Sequence, residues 1–365
     1  MNPYLSVPEK GYWKQAVASR SPFDVAELWD PKFQIRPRAP IVTFGSCFAQ
    51  HFAKALLKRE MNWFDGEPAP AAVSDELAVK FGYRTFSART ANIYTPSLLL
   101  QWLRWAFGES EVPNEVWQKG DRYFDPFRPR IEPDGFDSPE DVVRLRNQTL
   151  AALRTCVTKA KVFVFTLGLT ESWFHKDGYE YPMCPGTAAG SFDPAQHVFV
   201  NQRFTQVHDA LDKAITLMRR HNPQLNVLLT VSPVPLIATN SGEHVLVATM
   251  QSKSLLRSVA WEVSATNDFV DYFPSYEIIN APSFRGMFFD PDQRSVNPVG
   301  VDFVMRSFFE ARERKFGADV PPAARRANRE DADADAPTGA RGGEKRRKAD
   351  IVCEEEVLAA FGPRG

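Results

Sequence analysis

A serine follows a glycine at the point where an apolar run gives way to a helical pattern. Residues 39–45 predict a strand ending in a turn, and residues 46–58 place apolar side chains at helical spacing. A hydroxyl at such a junction lies beside backbone N–H groups and the positive end of the helix dipole. Ser46 is therefore a candidate nucleophile for acyl transfer, and the Cys47 N–H is a candidate donor to the oxyanion. The alternative is that Ser46 only caps the helix, as serine often does.

A nucleophilic serine needs a general base, and two of the six histidines could lie at the same edge of the protein. His244 follows a predicted strand over residues 226–231, so its loop would lie where the functional groups of a parallel sheet gather. His197 lies in an irregular segment that could fold over the same edge. Each is a candidate base for Ser46, and the alternative for each is a structural hydrogen bond.

Apolar strands alternate with amphipathic helices along the chain. Residues 161–167 consist mainly of β-branched and aromatic residues, which is typical of a strand buried on both faces. The alternation predicts an α/β fold in which helices cover both faces of a mostly parallel sheet. Residues 61–64 could add one more strand. The other predicted strands cover residues 39–45, 226–231 and 269–271, and the predicted helices cover residues 46–58, 95–107, 138–160, 202–221, 245–266 and 300–316.

The chain is long enough for one large domain, which we expect to end near residue 316. Beyond it the sequence lacks the apolar groups needed to offset the entropy of ordering, so a disordered linker is predicted. A short apolar stretch with helical spacing follows and could dock on the domain or on a protein partner. The predicted parts are a domain over residues 1–316 with irregular insertions at about 110–137 and 177–201, a linker over 317–350, and a helical segment over 351–365 with 351–361 as the partner-binding element.

The overall composition disfavours several classes of function. A formal net charge of −1 gives no general attraction to nucleic acid or to an anionic membrane. No apolar stretch approaches the length of a signal-peptide core or of a spanning helix, so we expect a cytoplasmic protein. The four cysteines are scattered without metal-ligand spacing, so neither a disulfide framework nor a metal site is expected. No cofactor is expected either.

The run Gly-Ser-Cys-Phe-Ala at residues 45–49 is the signature for which the GSCFA family is named. Further stretches resemble that family in the same order, and together they span roughly residues 40–310. They lie at residues 166–168, 230–234, 252–253, 272–278 and 292–297. The chain therefore resembles the GSCFA family over most of its length.

This resemblance implies a relationship to the SGNH, or GDSL, hydrolases, and with it a three-layer α/β/α sandwich with a flavodoxin-like sheet. Ser46 matches the nucleophile of those enzymes, and Gly168 and Glu171 frame a block that helps to hold the oxyanion. Thr170 replaces the asparagine of that block, so an amide donor is missing there, although a hydroxyl can also donate one hydrogen bond. Asn92, on an earlier loop, is a candidate substitute donor.

The last SGNH motif is only partly present. The resemblance aligns Asp292 with the acid of the triad but places Ser295 where its histidine belongs. Loss of a triad member typically leaves only weak catalysis. Either another base such as His244 or His197 therefore serves Ser46, or the chain does not hydrolyse esters.

Two functions are consistent with these residues. The first is an SGNH-like serine hydrolase or acyltransferase acting on an acetyl or other ester of a carbohydrate or related metabolite. The alternative is a non-catalytic glycan- or protein-binding protein that has lost the triad histidine. Arginines on loops that could face the same edge would suit an anionic sugar, with surface salt bridges as the alternative. These arginines are Arg128, Arg285 and Arg294.

Overall fold

Strands alternate with helices along most of the chain in this computed structural model, which describes residues 1–318 and 354–362. The strands are β1 (Ile41–Gly45), β2 (Trp117–Lys119), β3 (Arg122–Phe124), β4 (Val162–Leu167), β5 (Glu171–His175), β6 (Glu180–Tyr181), β7 (His197–Asn201), β8 (Asn226–Val231) and β9 (Val270–Tyr272). The helices are α1 (Ala49–Lys58), α2 (Asp75–Lys80), α3 (Pro96–Phe107), α4 (Pro139–Lys159), α5 (Phe204–His221), α6 (Val245–Thr266), α7 (Ser275–Asn280) and α8 (Pro298–Phe316). Short 3-10 or π turns lie before β1 and after α7.

Four strands form a parallel sheet in the spatial order β1-β4-β8-β9. Gly45 lies opposite Thr166, and Thr166 lies opposite Thr230, so the three longer strands end at the same edge. Parallel strands need crossover connections, and the helices supply them. The further strand expected at residues 61–64 is reduced to a single bridge between Trp63 and Ile41.

Successive residues of the central strands pack against different helical layers. Phe163 and Phe165 lie in one core with α3, α4, α5 and α6, whereas Val162 and Val164 lie in a second core with α1, α7 and α8. This alternation follows from the two-residue period of a strand. Every residue of β4 is buried, as predicted for a strand covered on both faces. The predicted three-layer α/β/α sandwich is thus confirmed.

Two of the predicted helices begin immediately after a capping residue. The Thr95 hydroxyl accepts the Leu98 N–H at the start of α3, and the Ser138 hydroxyl accepts the Asp141 N–H at the start of α4. In both helices a proline follows the cap, where its missing N–H is not needed.

The two predicted insertions contain regular structure. β2 and β3 pair as an antiparallel hairpin within the first. The second contributes β6 and β7 to a three-stranded antiparallel sheet in the order β6-β5-β7. The prediction that residues 177–201 are irregular is therefore wrong for β6 and β7. Both strands pair with β5, which precedes this segment.

The end of the chain is described only in part. Of the predicted linker over residues 317–350, residues 319–350 lie outside the described residues. Glu354–Phe361 form a 3-10 helix, and Leu358 and Phe361 line a cavity that also includes Trp173. None of the helices in the described ranges combines the length and the apolar composition needed to cross a bilayer.

A buried cluster of charges joins the first insertion to α4. Arg128 Nε donates to Asp125 Oδ2 at 2.8 Å, and Arg146 Nε donates to Asp125 Oδ1 at 3.1 Å. Burial by itself would raise the pKa of Asp125, but the two guanidinium groups outweigh it and hold that pKa below its usual range. Arg128 also donates to the Thr149 hydroxyl at 2.6 Å, so its charge is enclosed on several sides.

Replacing Asp125 by Asn should lower the free energy of unfolding by about 3–5 kcal/mol, because two buried guanidinium groups lose their counter-charge. Asp141→Asn is the matched control, since its ion pair with Arg144 lies at the surface and is expected to matter much less. Urea denaturation measures both variants. Similar small losses in the two would contradict the structural role of the buried cluster.

Candidate active site

β1 ends in a turn that only glycine can occupy. Gly45 has φ +126°, and a β-carbon on it would overlap the Thr166 carbonyl oxygen and lie 2.6 Å from the Thr166 nitrogen. The ends of β1 and β4 meet through this contact, and the Ser46 N–H donates to the same carbonyl at 3.0 Å. Ser46 is therefore held at the carboxyl edge of the sheet, immediately before α1.

The Ser46 side chain forms no hydrogen bond with the described residues. Ser46 is 2% exposed, and its hydroxyl has no hydrogen-bond partner among the described residues. Phe48 occupies the cap position of α1, without a side-chain hydrogen bond to the helix. The helix-cap interpretation of Ser46 is therefore wrong. A buried hydroxyl without a partner costs about 1–3 kcal/mol, so its presence calls for a reason other than stability.

The amide that follows Ser46 is available as a donor. Nothing in the described part of the chain accepts a hydrogen bond from the Cys47 N–H, whereas the carbonyl oxygens of Ser46 and Cys47 accept from Ala49 and Gln50. Cys47 is only 4% exposed, as expected for a thiol that packs in the core. The free N–H lies at the amino end of α1, where the helix dipole favours negative charge. Chemically, this is a suitable donor for an oxyanion.

Asn92 lies at the same edge as the serine turn. The two residues after it bind the ends of the first two sheet strands. The Ile93 N–H donates to the Gly45 carbonyl at 2.9 Å, and the Tyr94 carbonyl accepts the Gly168 N–H at 2.8 Å. Asn92 itself is 1% exposed. The fold thus brings together Asn92 and Ser46, two candidate site residues that are distant in the sequence.

Gly168 contacts both Ser46 and a buried lysine. A β-carbon on Gly168 would be 3.0 Å from the Ser46 Cβ, so the two residues are in close contact. The Gly168 carbonyl also accepts a hydrogen bond from Lys253 Nζ at 2.7 Å, and Lys253 is 1% exposed. The sequence reasoning did not select Lys253 as a functional residue. A signal was present, because Lys253 falls on the same buried face of α6 as Leu256 and Ala260.

The Thr170 hydroxyl is not available as an oxyanion donor in place of the missing asparagine. Its hydroxyl donates to Asn201 Oδ1 at 2.8 Å, and Asn201 lies opposite Glu171 in the pairing of β5 with β7. The Thr170 N–H donates to the Ser252 hydroxyl at 3.1 Å, which ties this position to α6. An amide side chain is therefore present next to this block, but it comes from a strand that the sequence did not predict.

Glu171 connects β5 to the loop that follows β8. Its carboxylate accepts hydrogen bonds from the Thr239 hydroxyl and, at 3.3 Å, from the Asn240 N–H. Burial raises the pKa of Glu171, and these hydrogen bonds act against that rise. A cavity of about 640 Å³ adjoins Glu171 and is lined on one side by Trp173 and Phe192.

Neither histidine candidate is hydrogen-bonded to the Ser46 hydroxyl. His244 is exposed and caps α6, with its Nδ1 accepting a backbone N–H of that helix. The His197 Nδ1 accepts the Asp193 N–H at 3.0 Å. His197 lies at the opposite end of β7 from Asn201, roughly 13 Å away by the rise of a strand.

Asp292 forms its hydrogen bonds within the turn to which it belongs. Its carboxylate accepts the Ser295 hydroxyl at 2.6 Å and the Arg294 N–H at 2.9 Å, just before α8. Burial alone would raise the pKa of Asp292, but these hydrogen bonds outweigh it and lower the pKa. The acid aligned with the triad therefore orders a loop, and Ser295 takes the hydrogen bond that a triad histidine would make.

The three arginine candidates lie in different environments. Arg294 Nε donates to the Pro235 carbonyl at 3.1 Å, which joins the turn before α8 to the loop after β8. Arg285 is exposed and has φ +51°. Arg128 is completely buried in the charged cluster, so it offers no surface to a ligand. Arg128 is therefore not available to bind a substrate, contrary to the expectation from its loop.

Within the described residues, no group of three or more His, Cys, Asp or Glu side chains is arranged to hold a metal ion. Cys47, Cys156 and Cys184 are free thiols.

A buried acid adjoins the site. Glu180 Oε1 accepts the Thr95 hydroxyl at 2.5 Å and the Ser172 hydroxyl at 2.7 Å, while Oε2 has no partner among the described residues. Burial is the main cause that raises the pKa of Glu180 to about 7. The carboxyl group is thus mostly protonated at weakly acidic pH.

The model of the GSCFA family matches residues 40–308 of the chain. The match includes the four strands of the parallel sheet and the edge that carries Ser46, Asn92, Gly168 and Lys253. The chain therefore belongs to the GSCFA family. The comparison with curated proteins finds no match.

Glu180 should make the protein less stable as the pH rises. The folded protein keeps the Glu180 proton up to about pH 7, whereas the unfolded chain loses it near the ordinary value of 4.5. The free energy of unfolding should therefore fall between these values by about 3 kcal/mol. Glu180→Gln, which places an uncharged amide at this position, should remove that part of the decline.

Urea denaturation of both proteins across this pH range measures the effect, with the exposed Glu243→Gln as the control for a general change in charge. An unchanged pH dependence in Glu180→Gln would contradict the buried, protonated state of this acid.

Proposed function

We propose that this protein is an SGNH-type serine hydrolase or acyltransferase that acts on an ester of a carbohydrate or related metabolite, with Ser46 as nucleophile. The Ser46 hydroxyl carries the proposal. It is buried at a strand end without a hydrogen-bond partner among the described residues, and the neighbouring Cys47 N–H has no acceptor there either. A nucleophile and an oxyanion donor side by side are the minimum requirement of acyl transfer.

The proposed reaction begins when Ser46 Oγ attacks the acyl carbon of the ester. The carbonyl oxygen becomes negatively charged, and the Cys47 N–H and the positive end of the α1 dipole stabilise that charge. Asn92 and Asn201 are the nearby amide side chains that could supply a second donor. Collapse of the intermediate releases the alcohol and leaves the acyl group on Ser46, from which water or another alcohol removes it.

A cavity beside Glu171, whose lining does not include Ser46, supports a carbohydrate or related acceptor. The cavity beside it has a volume of about 640 Å³, within the usual range for small-molecule sites. Trp173 supplies an aromatic surface there, and Thr239 and Asn240 supply polar groups. Arg285 and Arg294 remain the arginine candidates for an anionic substituent.

The second candidate is a glycan- or protein-binding protein without catalytic activity. It is favoured by the absence of a hydrogen bond from any described histidine to Ser46 and by the pairing of Asp292 with Ser295. Residues 351–361 would then be a partner-binding element. The described part of this segment places Leu358 and Phe361 at the cavity beside Glu171, so a partner would compete with that position.

A fluorophosphonate probe should label the full-length protein once, at Ser46, and Ser46→Ala should abolish the labelling. Ser232→Ala is the matched control. Ser232 is also 2% exposed and lies just after β8, but its hydroxyl accepts the Val234 N–H. This variant should label like the wild type. Because the Ser46 hydroxyl is covered in this structure, the labelling should be slow and should accelerate on mild warming, as read by intact mass and peptide mapping.

A folded wild-type protein that stays unlabelled would remove the support for a serine nucleophile. Titration calorimetry with neutral and anionic oligosaccharides would then be the next measurement, and binding that is unaffected by Ser46→Ala would favour the non-catalytic function.

A further inference from the structure

We infer that Lys253 is the general base of Ser46, so that the reactive pair consists of a serine and a lysine. The inference rests on the proposed function of Ser46. It concerns a residue that neither the serine signature nor the SGNH motifs select.

The Ser46 and Lys253 side chains both contact Gly168. A β-carbon on Gly168 would lie 3.0 Å from Ser46 Cβ, and Lys253 Nζ donates to the Gly168 carbonyl at 2.7 Å. A side chain at position 168 would be wedged against Ser46 and Tyr94, since even a β-carbon would lie 3.0 Å from both. Because residue 168 is glycine, the residue that binds Lys253 can also pack directly against Ser46.

Lys253 reaches this edge from inside the protein. It lies in the third turn of α6, and the buried face of the helix continues beyond it with Leu256 and Ala260. Only 1% of the residue is exposed, so the amine is shielded from bulk water. Lysines that act as general bases are kept in such surroundings, because desolvation disfavours the ammonium form.

The hydrogen bond to Gly168 suits the task of a base. A neutral amine has two N–H bonds and one lone pair. When one N–H donates to the Gly168 carbonyl, that hydrogen bond orients the amine, whose lone pair is the group that accepts the proton. In serine triads a third residue orients the base in a comparable way. The flexible end of the side chain can complete the approach to the Ser46 hydroxyl when substrate binds.

Other bases at this edge already have different tasks. His244 caps a helix, and His197 lies at the far end of β7. Asp292 closes its own turn, and Glu171 binds the loop after β8. Among these titratable groups, Lys253 alone contacts a residue that also contacts Ser46.

The proton transfers balance over the reaction. Lys253 Nζ takes the Ser46 hydroxyl proton as Oγ forms its bond to the acyl carbon. When the intermediate collapses, the carbon–oxygen bond to the leaving alcohol breaks, and the Lys253 ammonium returns the proton to that alcohol. The neutral amine then takes a proton from the attacking water or acceptor alcohol, and gives it back to Ser46 Oγ as the acyl group departs.

Fluorophosphonate labelling of Ser46 in Lys253→Arg and Lys253→Met tests the inference. Arginine retains a donor for the Gly168 carbonyl but is always protonated and cannot accept a proton, and methionine keeps only the apolar stem. Both variants should label at least about 100-fold more slowly than the wild type, the usual contribution of a general base. Thermal unfolding reports whether each variant is folded.

The pH dependence separates a base from a structural lysine. In the wild type, the labelling rate should rise through one ionisation between about pH 6 and about pH 10 and then level off, and this step should vanish in Lys253→Arg. A structural lysine would change the unfolding temperature but leave the step in place. A wild-type rate without any step would overturn the inference even if neither variant folds.

The outcomes distinguish the two proposals. If the wild type labels at Ser46 and Lys253→Arg labels at the same rate with the same pH profile, Lys253 is not the base and the serine function stands. If the wild type does not label at all, the serine function fails and the inference about Lys253 fails with it.

Discussion

The end of β1 lies against the end of β4 because residue 45 has no side chain. A β-carbon there would overlap the Thr166 carbonyl, so any other residue would push the two strands apart. Three features depend on this approach. The Ser46 N–H binds the Thr166 carbonyl, Ile93 binds the Gly45 carbonyl, and Gly168 lies against Ser46. The whole candidate site is assembled around a contact between two backbones.

Buried polar groups in this protein fall into two kinds. In the cluster around Asp125, one carboxylate pairs with two guanidinium groups, and these ion pairs hold an insertion to α4. Around Ser46 the arrangement is different, since the serine hydroxyl and the Cys47 N–H have no partner in the described residues. Groups that lower stability without a compensating contact are expected where function requires them.

Much of the architecture could be predicted from local sequence. The apolar residues of β4 and the capped starts of α3 and α4 are local signals, because strand burial and helix capping depend on neighbouring residues. The three-stranded sheet of β5, β6 and β7 was missed, since the pairing of β5 with β7 joins segments separated by a long irregular stretch. Asn201 was not predicted as a site residue for the same reason, because it lies in β7.

The sequence by itself determined the family, the α/β class and the position of Ser46 at a strand end, because these follow from a contiguous signature and from the periods of strands and helices. Only the tertiary structure decided which polar groups accompany that serine. It placed Asn92, Gly168 and Lys253 at one edge, and it gave His244, His197 and Asp292 other hydrogen bonds. Side-chain partners are set by the meeting of distant segments, and the direction of a side chain at that meeting depends on the packing of the whole domain.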